Sequence, residues 1–200
     1  MKLYQQIVYN LISNKERVID LGCGNGLLLH KLRTEKQCDG YGVEKSFDEL
    51  LLALERGLPV FQGDVLEGLK QFESNSFDVA ILSQTLQQVF DPAMLLKEMC
   101  RVSKRAIVTF PNFGYWKVRL QLLFSGFSPK TKQLPYDWFN TPNIRVITIK
   151  DFRKLCMEYN LSIIKEVPLI KYKVQRILFP LKLTNLFTEK GIFIIESNLK

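Results

Sequence analysis

Apolar and polar positions along this chain change period at regular intervals, and the changes divide it into alternating helices and strands. Leu3, Ile7, Val8, Leu11 and Ile12 recur at helical spacing and predict an amphipathic first helix. Arg17-Val-Ile-Asp-Leu21 predicts a short buried strand that runs into glycines at 22, 24 and 26. Leu27 to Leu32 is apolar, with Lys31 and Arg33 at its close, as suits a helix packed on a sheet. Tyr41-Gly-Val-Glu44 and Val60-Phe-Gln-Gly-Asp64 predict second and third strands, each ending in an acid, with a helical patch at Leu50 to Leu54 between them. Phe77-Asp-Val-Ala-Ile-Leu82 is nearly all apolar, the pattern of a strand covered on both faces. Asp91-Pro92 supplies an N-cap and a first-turn proline for a helix whose buried stripe is Met94, Leu95, Met99 and Val102. Ala106-Ile-Val-Thr-Phe110 predicts a fifth strand. This alternation calls for a doubly wound, mostly parallel sheet with helices on both faces and right-handed crossovers.

The rhythm breaks at 111. Residues 111–147 hold Pro111, Pro129, Pro135 and Pro142, both tryptophans, and the cations Lys117, Arg119, Lys130 and Lys132. A segment this long between a strand and the next helix predicts a proline-fixed loop acting as a lid or a docking insertion. Trp, Tyr and Arg dominate interface energies, and Trp116, Arg119, Tyr136 and Trp138 all lie here. The plainer alternative is that these aromatics cover one edge of the sheet. Periodic structure resumes with a helix from Thr148 to about Tyr159, then strands at 162–167 and 191–196. The stretch 168–190 between them carries Lys171, Lys173, Arg176 and Lys182 and reads as a packed crossover rather than a membrane-surface segment. With no internal repeat or linker, residues 1–200 are expected to form one domain with an insertion at 111–147.

Composition narrows the partners. Apolar residues make up 46% and charged residues 24%, an ordinary balance for a globular protein. No apolar stretch is long enough for a membrane span, and the N-terminus lacks the pattern of a signal peptide. Cys23, Cys38, Cys100 and Cys156 form no C-x-x-C pair and there is one His, so a zinc site is not expected. A cytoplasmic location without a membrane partner follows as the expectation. The net charge of +8 is unevenly placed: residues 1–100 carry 10 basic and 14 acidic side chains, residues 101–200 carry 18 and 6. The basic half faces a partner protein, a nucleic acid or an anionic substrate, unless it is only a solvated surface.

The glycines at 22, 24 and 26 give a G-x-G-x-G spacing, and Leu27 stands where a dinucleotide fingerprint would place its third glycine. The spacing therefore leans away from NAD and toward the S-adenosylmethionine (SAM) pocket of the class I methyltransferases, which this segment resembles. In a doubly wound sheet the ligand lies at the carboxyl ends of the strands. The polar candidates all fall there: Asp20, Gly22, Cys23 and Gly24 at strand one, Glu44 and Lys45 at strand two, Asp64 and Val65 at strand three, Ser83 and Gln84 at strand four. A Glu44 carboxylate has two oxygens for two ribose hydroxyls, and it would repel the 2′-phosphate of NADP. Asp64 can accept from an adenine amine while the Val65 N–H faces a ring nitrogen and Gly63 leaves room. Capping the next helix is the competing role for Asp64. Asp20 either holds the glycine turn or meets the ligand's ammonium group through water. Lys45 and Gln84 are rim candidates. Cys23 is a small residue in a tight turn without a basic neighbour to activate it. No catalytic residue stands out.

The order of these elements resembles the class I SAM-dependent methyltransferase fold, which is Rossmann-like. That resemblance implies six parallel strands joined by a seventh, antiparallel one. It also implies chemistry by direct displacement at a sulfonium methyl group, in which the protein mainly aligns the reacting atoms. Three longer motifs narrow it: Leu82-Ser-Gln-Thr-Leu-Gln-Gln-Val89, Phe110-Pro-Asn-Phe-Gly-Tyr-Trp-Lys-Val-Arg-Leu120 and Leu134-Pro-Tyr-Asp-Trp-Phe-Asn-Thr-Pro-Asn143. Together they resemble the MetW family of methionine-biosynthesis proteins over about residues 15–168. Members generally carry His where this chain has Tyr115, which removes a possible imidazole base. The resemblance implies a protein that binds SAM or S-adenosylhomocysteine and works beside a homoserine O-acyltransferase, docked through the 111–147 insertion. The alternative is a SAM-dependent methyltransferase with an acceptor pocket bounded by Gln87, Gln88, Asn112 and the insertion. Amino-methylating DNA enzymes present an Asn/Asp-Pro-Pro-aromatic run after strand four. This chain has Ser83-Gln-Thr-Leu there, so nucleic acid is not the expected partner.

Overall fold

The computed structural model describes residues 1–169 and 183–198. Helix α1 (Leu3–Asn10) precedes β1 (Arg17–Leu21), α2 (Leu27–Lys36), β2 (Asp39–Glu44), α3 (Phe47–Glu55), β3 (Val60–Gln62), α4 (Val65–Lys70) and β4 (Phe77–Ser83). A 3-10 turn at Leu86–Gln88 leads to α5 (Pro92–Val102), β5 (Ser103–Pro111), α6 (Trp116–Ser125), α7 (Ile149–Glu158), β6 (Leu161–Glu166), α8 (Thr184–Phe187) and β7 (Lys190–Ser197). The described strands form one seven-stranded sheet in the order β3-β2-β1-β4-β5-β7-β6. The pairs β1–β2, β1–β4, β2–β3 and β4–β5 are parallel, and β7 runs antiparallel between β5 and β6. The fold is thus the mostly parallel, Rossmann-like sheet that the alternation and the family resemblance imply.

Strand alternation divides the core between the two faces of the sheet. Ile19, Leu21, Ala80, Leu82, Val108 and Phe110 pack with the buried faces of α5 and α7, among them Leu95, Met99 and Phe152. Val18, Val79, Ile81 and Ile107 point the other way, onto Val8 and Ile12 and onto Leu28, Leu29 and Leu32 of α2. A period of two in the strands and about 3.6 in the helices produces this sandwich from the sequence pattern. The Asp91 carboxylate accepts from the Met94 N–H at 2.9 Å, so α5 starts where the Asp-Pro pair predicts.

Chain direction makes β1 and β4 the pivot. From β1 the chain steps outward through β2 to β3. It then returns across β1 to β4 and continues the other way. Such a reversal opens a crevice at the carboxyl ends of the two central strands.

Two expectations change. Strand β3 stops at Gln62, and Asp64 is the N-cap of α4 instead of the strand's last residue. The 111–147 segment is not all loop, because α6 places Trp116 and Arg119 on a helix. That helix ends at Gly126 with φ +67°, a left-handed stop that suits glycine. The segment is tied down at its start by Asn112, a buried hub. Asn112 Nδ2 donates to the carbonyls of Asn185 and Thr188, and Asn112 Oδ1 accepts from the N–H groups of Gly114 and Ile149. Most of the basic stretch between β6 and β7, including Lys171, Lys173, Arg176 and Lys182, lies outside the described residues. No helix among the described residues is long and apolar enough to cross a membrane.

Candidate functional site

The glycine turn after β1 is built from three left-handed residues: Gly22, Gly24 and Gly26 have φ of 72°, 54° and 72°. Their surroundings separate their roles. A Cβ on Gly26 would sit 2.3 Å from Leu58 Cδ1, and one on Gly22 would sit 2.6 Å from Thr85 Oγ1. Those two glycines let the loop after α3 and the turn after β4 pack closely against this one. A Cβ on Gly24 would meet only Glu49 Oε2, at 3.6 Å, so Gly24 borders open space. The N–H groups of Gly22 and Cys23 both donate to the Val43 carbonyl, at 2.8 and 3.1 Å, and lock the turn to β2.

Glu44 closes β2 directly across from the turn. Its Oε2 accepts from the Gly24 N–H at 2.7 Å and its Oε1 from the Ser46 N–H at 2.8 Å. The carboxylate is therefore fixed, while roughly four acceptor positions on its two oxygens leave about two for a further partner. Asp20 lies behind it, 2% exposed, and its Oδ1 has no hydrogen-bond partner among the described residues. Burial, and secondarily the Glu44 charge, push the Asp20 carboxyl up to about 7. Burial, then the charges of Asp20 and Glu44, raises the Cys23 thiol far above its usual range, so this cysteine is no nucleophile.

Asp20, Gly22, Cys23, Gly24 and Glu44 thus converge. Asp64 and Val65 follow one strand further out, where the Gly63 N–H donates to the Glu44 carbonyl at 3.0 Å. Asp64 is exposed and its Oδ1 accepts from the Leu66 N–H at 2.9 Å, the capping role weighed against adenine contact. Lys45 is exposed beside Glu44.

Ser83 and Gln84 turn toward β5 instead. Ser83 Oγ lies 3.4 Å from Thr109 Oγ1. Gln84 Nε2 donates to Thr109 Oγ1 at 2.9 Å, and Gln84 Oε1 accepts from Lys190 Nζ. Gln84 also holds φ at +59°, a strained position for a residue with a side chain. Beyond it opens a cavity of about 670 Å³ lined by Gln87, Gln88, Asn112, Tyr115, Leu134 and Lys190, among others. Trp116 does not line it, and Tyr115 forms part of the wall with its hydroxyl donating to Glu189 at 3.3 Å. Sequence reasoning missed Thr109 and Lys190, whose positions depend on pairing across the sheet. Among the described residues no three His, Cys, Asp or Glu side chains converge as a metal site.

This arrangement of sheet and crevice is that of the Rossmann-like SAM-dependent methyltransferases. A SAM-dependent methyltransferase from Methanosarcina mazei superposes with a TM-score of 0.67 at 18% identity, covering 100% of both chains. Within that class the sequence is more specific. The profile of the family described as "Methionine biosynthesis protein MetW" matches residues 3–195, and the chain belongs to that family. A relative from Rhodopirellula baltica, "Bifunctional methionine biosynthesis protein MetXA/MetW", is 39% identical over 172 residues, covering 82% of this chain and 28% of that one. A "Ubiquinone biosynthesis O-methyltransferase" from Hahella chejuensis is 32% identical over 94 residues, covering 44% of this chain and 39% of its own. The chain thus spans well under half the length of these curated relatives.

Proposed function

We propose that this MetW-family chain binds SAM or S-adenosylhomocysteine at the tips of β1, β2 and β3 and serves as an accessory subunit of a homoserine O-acyltransferase. The observation that carries nucleoside binding is the Glu44 carboxylate, held by two backbone N–H groups beside the open space at Gly24. This supports a ribose contact at Glu44, and a cationic ligand would favour the ionised form of the neighbouring Asp20. Asp20 Oδ1 lacks a partner, which suits a ligand ammonium reached directly or through water. We assign the base to Asp64 and the Val65 N–H, one strand further out from Glu44. When bound, SAM supplies an electrophilic sulfonium methyl group, and the chain's own part is to bind and orient it.

The partner half of the proposal rests on the face of the insertion. Leu123, Phe124, Phe127, Trp138 and Phe139 are all at least 70% exposed. Large apolar side chains left this exposed in one segment support an interaction role for it. The relative that joins MetXA and MetW in one polypeptide supports a MetX-type acyltransferase as the occupant. Calorimetric titration with SAM and S-adenosylhomocysteine tests the first half: Glu44→Ala is expected to weaken both at least tenfold. Co-purification with the acyltransferase tests the second, with loss of the complex expected for Phe124→Ser combined with Trp138→Ser. No binding of either nucleoside to folded protein, or no complex between two folded partners, overturns the corresponding half.

A second reading, methyl transfer to a small molecule, is supported by the cavity beyond Gln84. Formation of S-adenosylhomocysteine with a candidate acceptor is its test.

A further inference from the structure

We propose that the cavity beyond Gln84 is a binding site for a small oxyanion-bearing metabolite, a carboxylate or a phosphate ester, anchored on the ammonium of Lys190. The proposal deepens the second reading by giving its pocket a ligand class, and anion binding there does not itself require SAM.

Lys190 opens β7, lines the cavity and is 6% exposed. Among the described residues its Nζ donates to Gln84 Oε1 and lies 4.3 Å from the centroid of the Tyr4 ring. An ammonium has three donors, so these contacts leave hydrogen-bonding capacity unused. An amide oxygen and an aromatic face compensate a buried cation less well than an anion does. Burial, then Lys2 nearby, pushes the Lys190 amine down to about 8 against the opposing charge of Glu189, so it remains largely charged at neutral pH.

The rest of the lining agrees. Lys2, Lys117 and Lys132 are exposed residues bordering the same cavity. Glu189 is the one acid that lines it among the described residues. Its two oxygens already accept, from the Tyr115 hydroxyl at 3.3 Å and from Gln133 Nε2 at 3.2 Å. Four lysines against the single charge of Glu189 leave the recess net positive, which attracts anions. Three of those lysines belong to the basic second half of the chain, whose excess charge the nucleoside site does not use. A volume of about 670 Å³ holds a metabolite, not a folded macromolecule.

The test uses the full chain with inorganic phosphate, succinate and the neutral analogue succinamide as probes, followed by calorimetry or by NMR shifts. Phosphate or succinate is expected to bind in the millimolar range or tighter, and succinamide at least tenfold more weakly. Lys190→Gln is expected to reduce anion binding at least tenfold, Lys190→Arg by less, while SAM affinity stays within twofold. If Lys190→Gln fails to fold, Lys2→Gln combined with Lys132→Gln reads the same field and is expected to weaken anions two- to fivefold. Equal binding of succinate and succinamide overturns the proposal. So does the absence of binding by either anion at 10 mM (roughly the weakest affinity compatible with a built site), or anion binding unchanged in folded Lys190→Gln. Preference for phosphate over succinate assigns the ligand to the phosphate esters, and the reverse to the carboxylates. Loss of SAM binding with anion binding intact would fault the nucleoside assignment alone.

Discussion

Replacing Asp20 by Asn is expected to change how the protein's stability depends on pH. The Asp20 carboxyl moves from 3.8 to about 7 on folding, through burial and then through the Glu44 charge. Between those values the folded chain holds a proton that the unfolded chain releases. Stability therefore falls as pH rises through this window. From pH 5 to pH 8 the linkage relation gives a loss of about 2–3 kcal/mol from this one group. For a chain of this size that is roughly 5–10 °C in melting temperature. Asp20→Asn cannot titrate, so its stability is expected to lack this component. Any fixed packing or hydrogen-bonding cost of the substitution is present at both pH values and cancels. Groups shared by the two proteins, such as Lys190, cancel as well. The assay is urea unfolding of both proteins at pH 5 and pH 8 without ligand. A pH-dependent difference below about 0.5 kcal/mol, well under the linkage value, would refute the argument that Asp20 is buried and protonated.

The glycine turn yields a contrast: Gly24→Ala is expected to keep most of the stability, losing about 1 kcal/mol to the left-handed backbone, while SAM binding measured by calorimetry is abolished. Gly26→Ala, with a Cβ 2.3 Å from Leu58, is expected to lose several times more stability in the same urea titration. Asp78 accepts from the Lys104 ammonium and from the Arg17 guanidinium and backbone N–H, and these contacts hold its carboxyl far below the usual range. Its contribution is present above pH ~4 and is lost as pH falls further, so Asp78→Asn is expected to flatten the acid limb of the stability curve. Asp91→Ala removes the cap of α5 and is expected to cost about 1 kcal/mol in denaturant unfolding.

The parts of the fold that could be read from sequence are those whose signals are local. Strands β1, β4 and β5 are dense apolar runs, and α5 announces itself through the Asp91-Pro92 start and one buried stripe. Helix α6 was hidden because its apolar residues do not keep to one face: Leu122, Leu123 and Phe124 are consecutive, and all are exposed. The proline-free run from Trp116 to the helix stop at Gly126 was the available clue. At the site, Asp20, the glycines and Glu44 were legible because strand ends and glycine turns are written in neighbouring residues. The direction of Gln84 was not, since its partners Thr109 and Lys190 lie 25 and 106 positions away. The burial of Lys190 was likewise invisible, because it depends on β7 inserting between β5 and β6.

The 3-10 turn after β4 also fastens the end of the 111–147 insertion. The Gln87 carbonyl accepts from the N–H groups of both Ile144 and Arg145, at 2.9 and 3.0 Å. A few residues before them in the chain stand the exposed rings of Trp138 and Phe139. A protein grasping those rings would pull on a tether fastened one turn from the strand that flanks the glycine crevice. Occupancy of the crevice and the grip of a partner would then be felt through the same short piece of backbone.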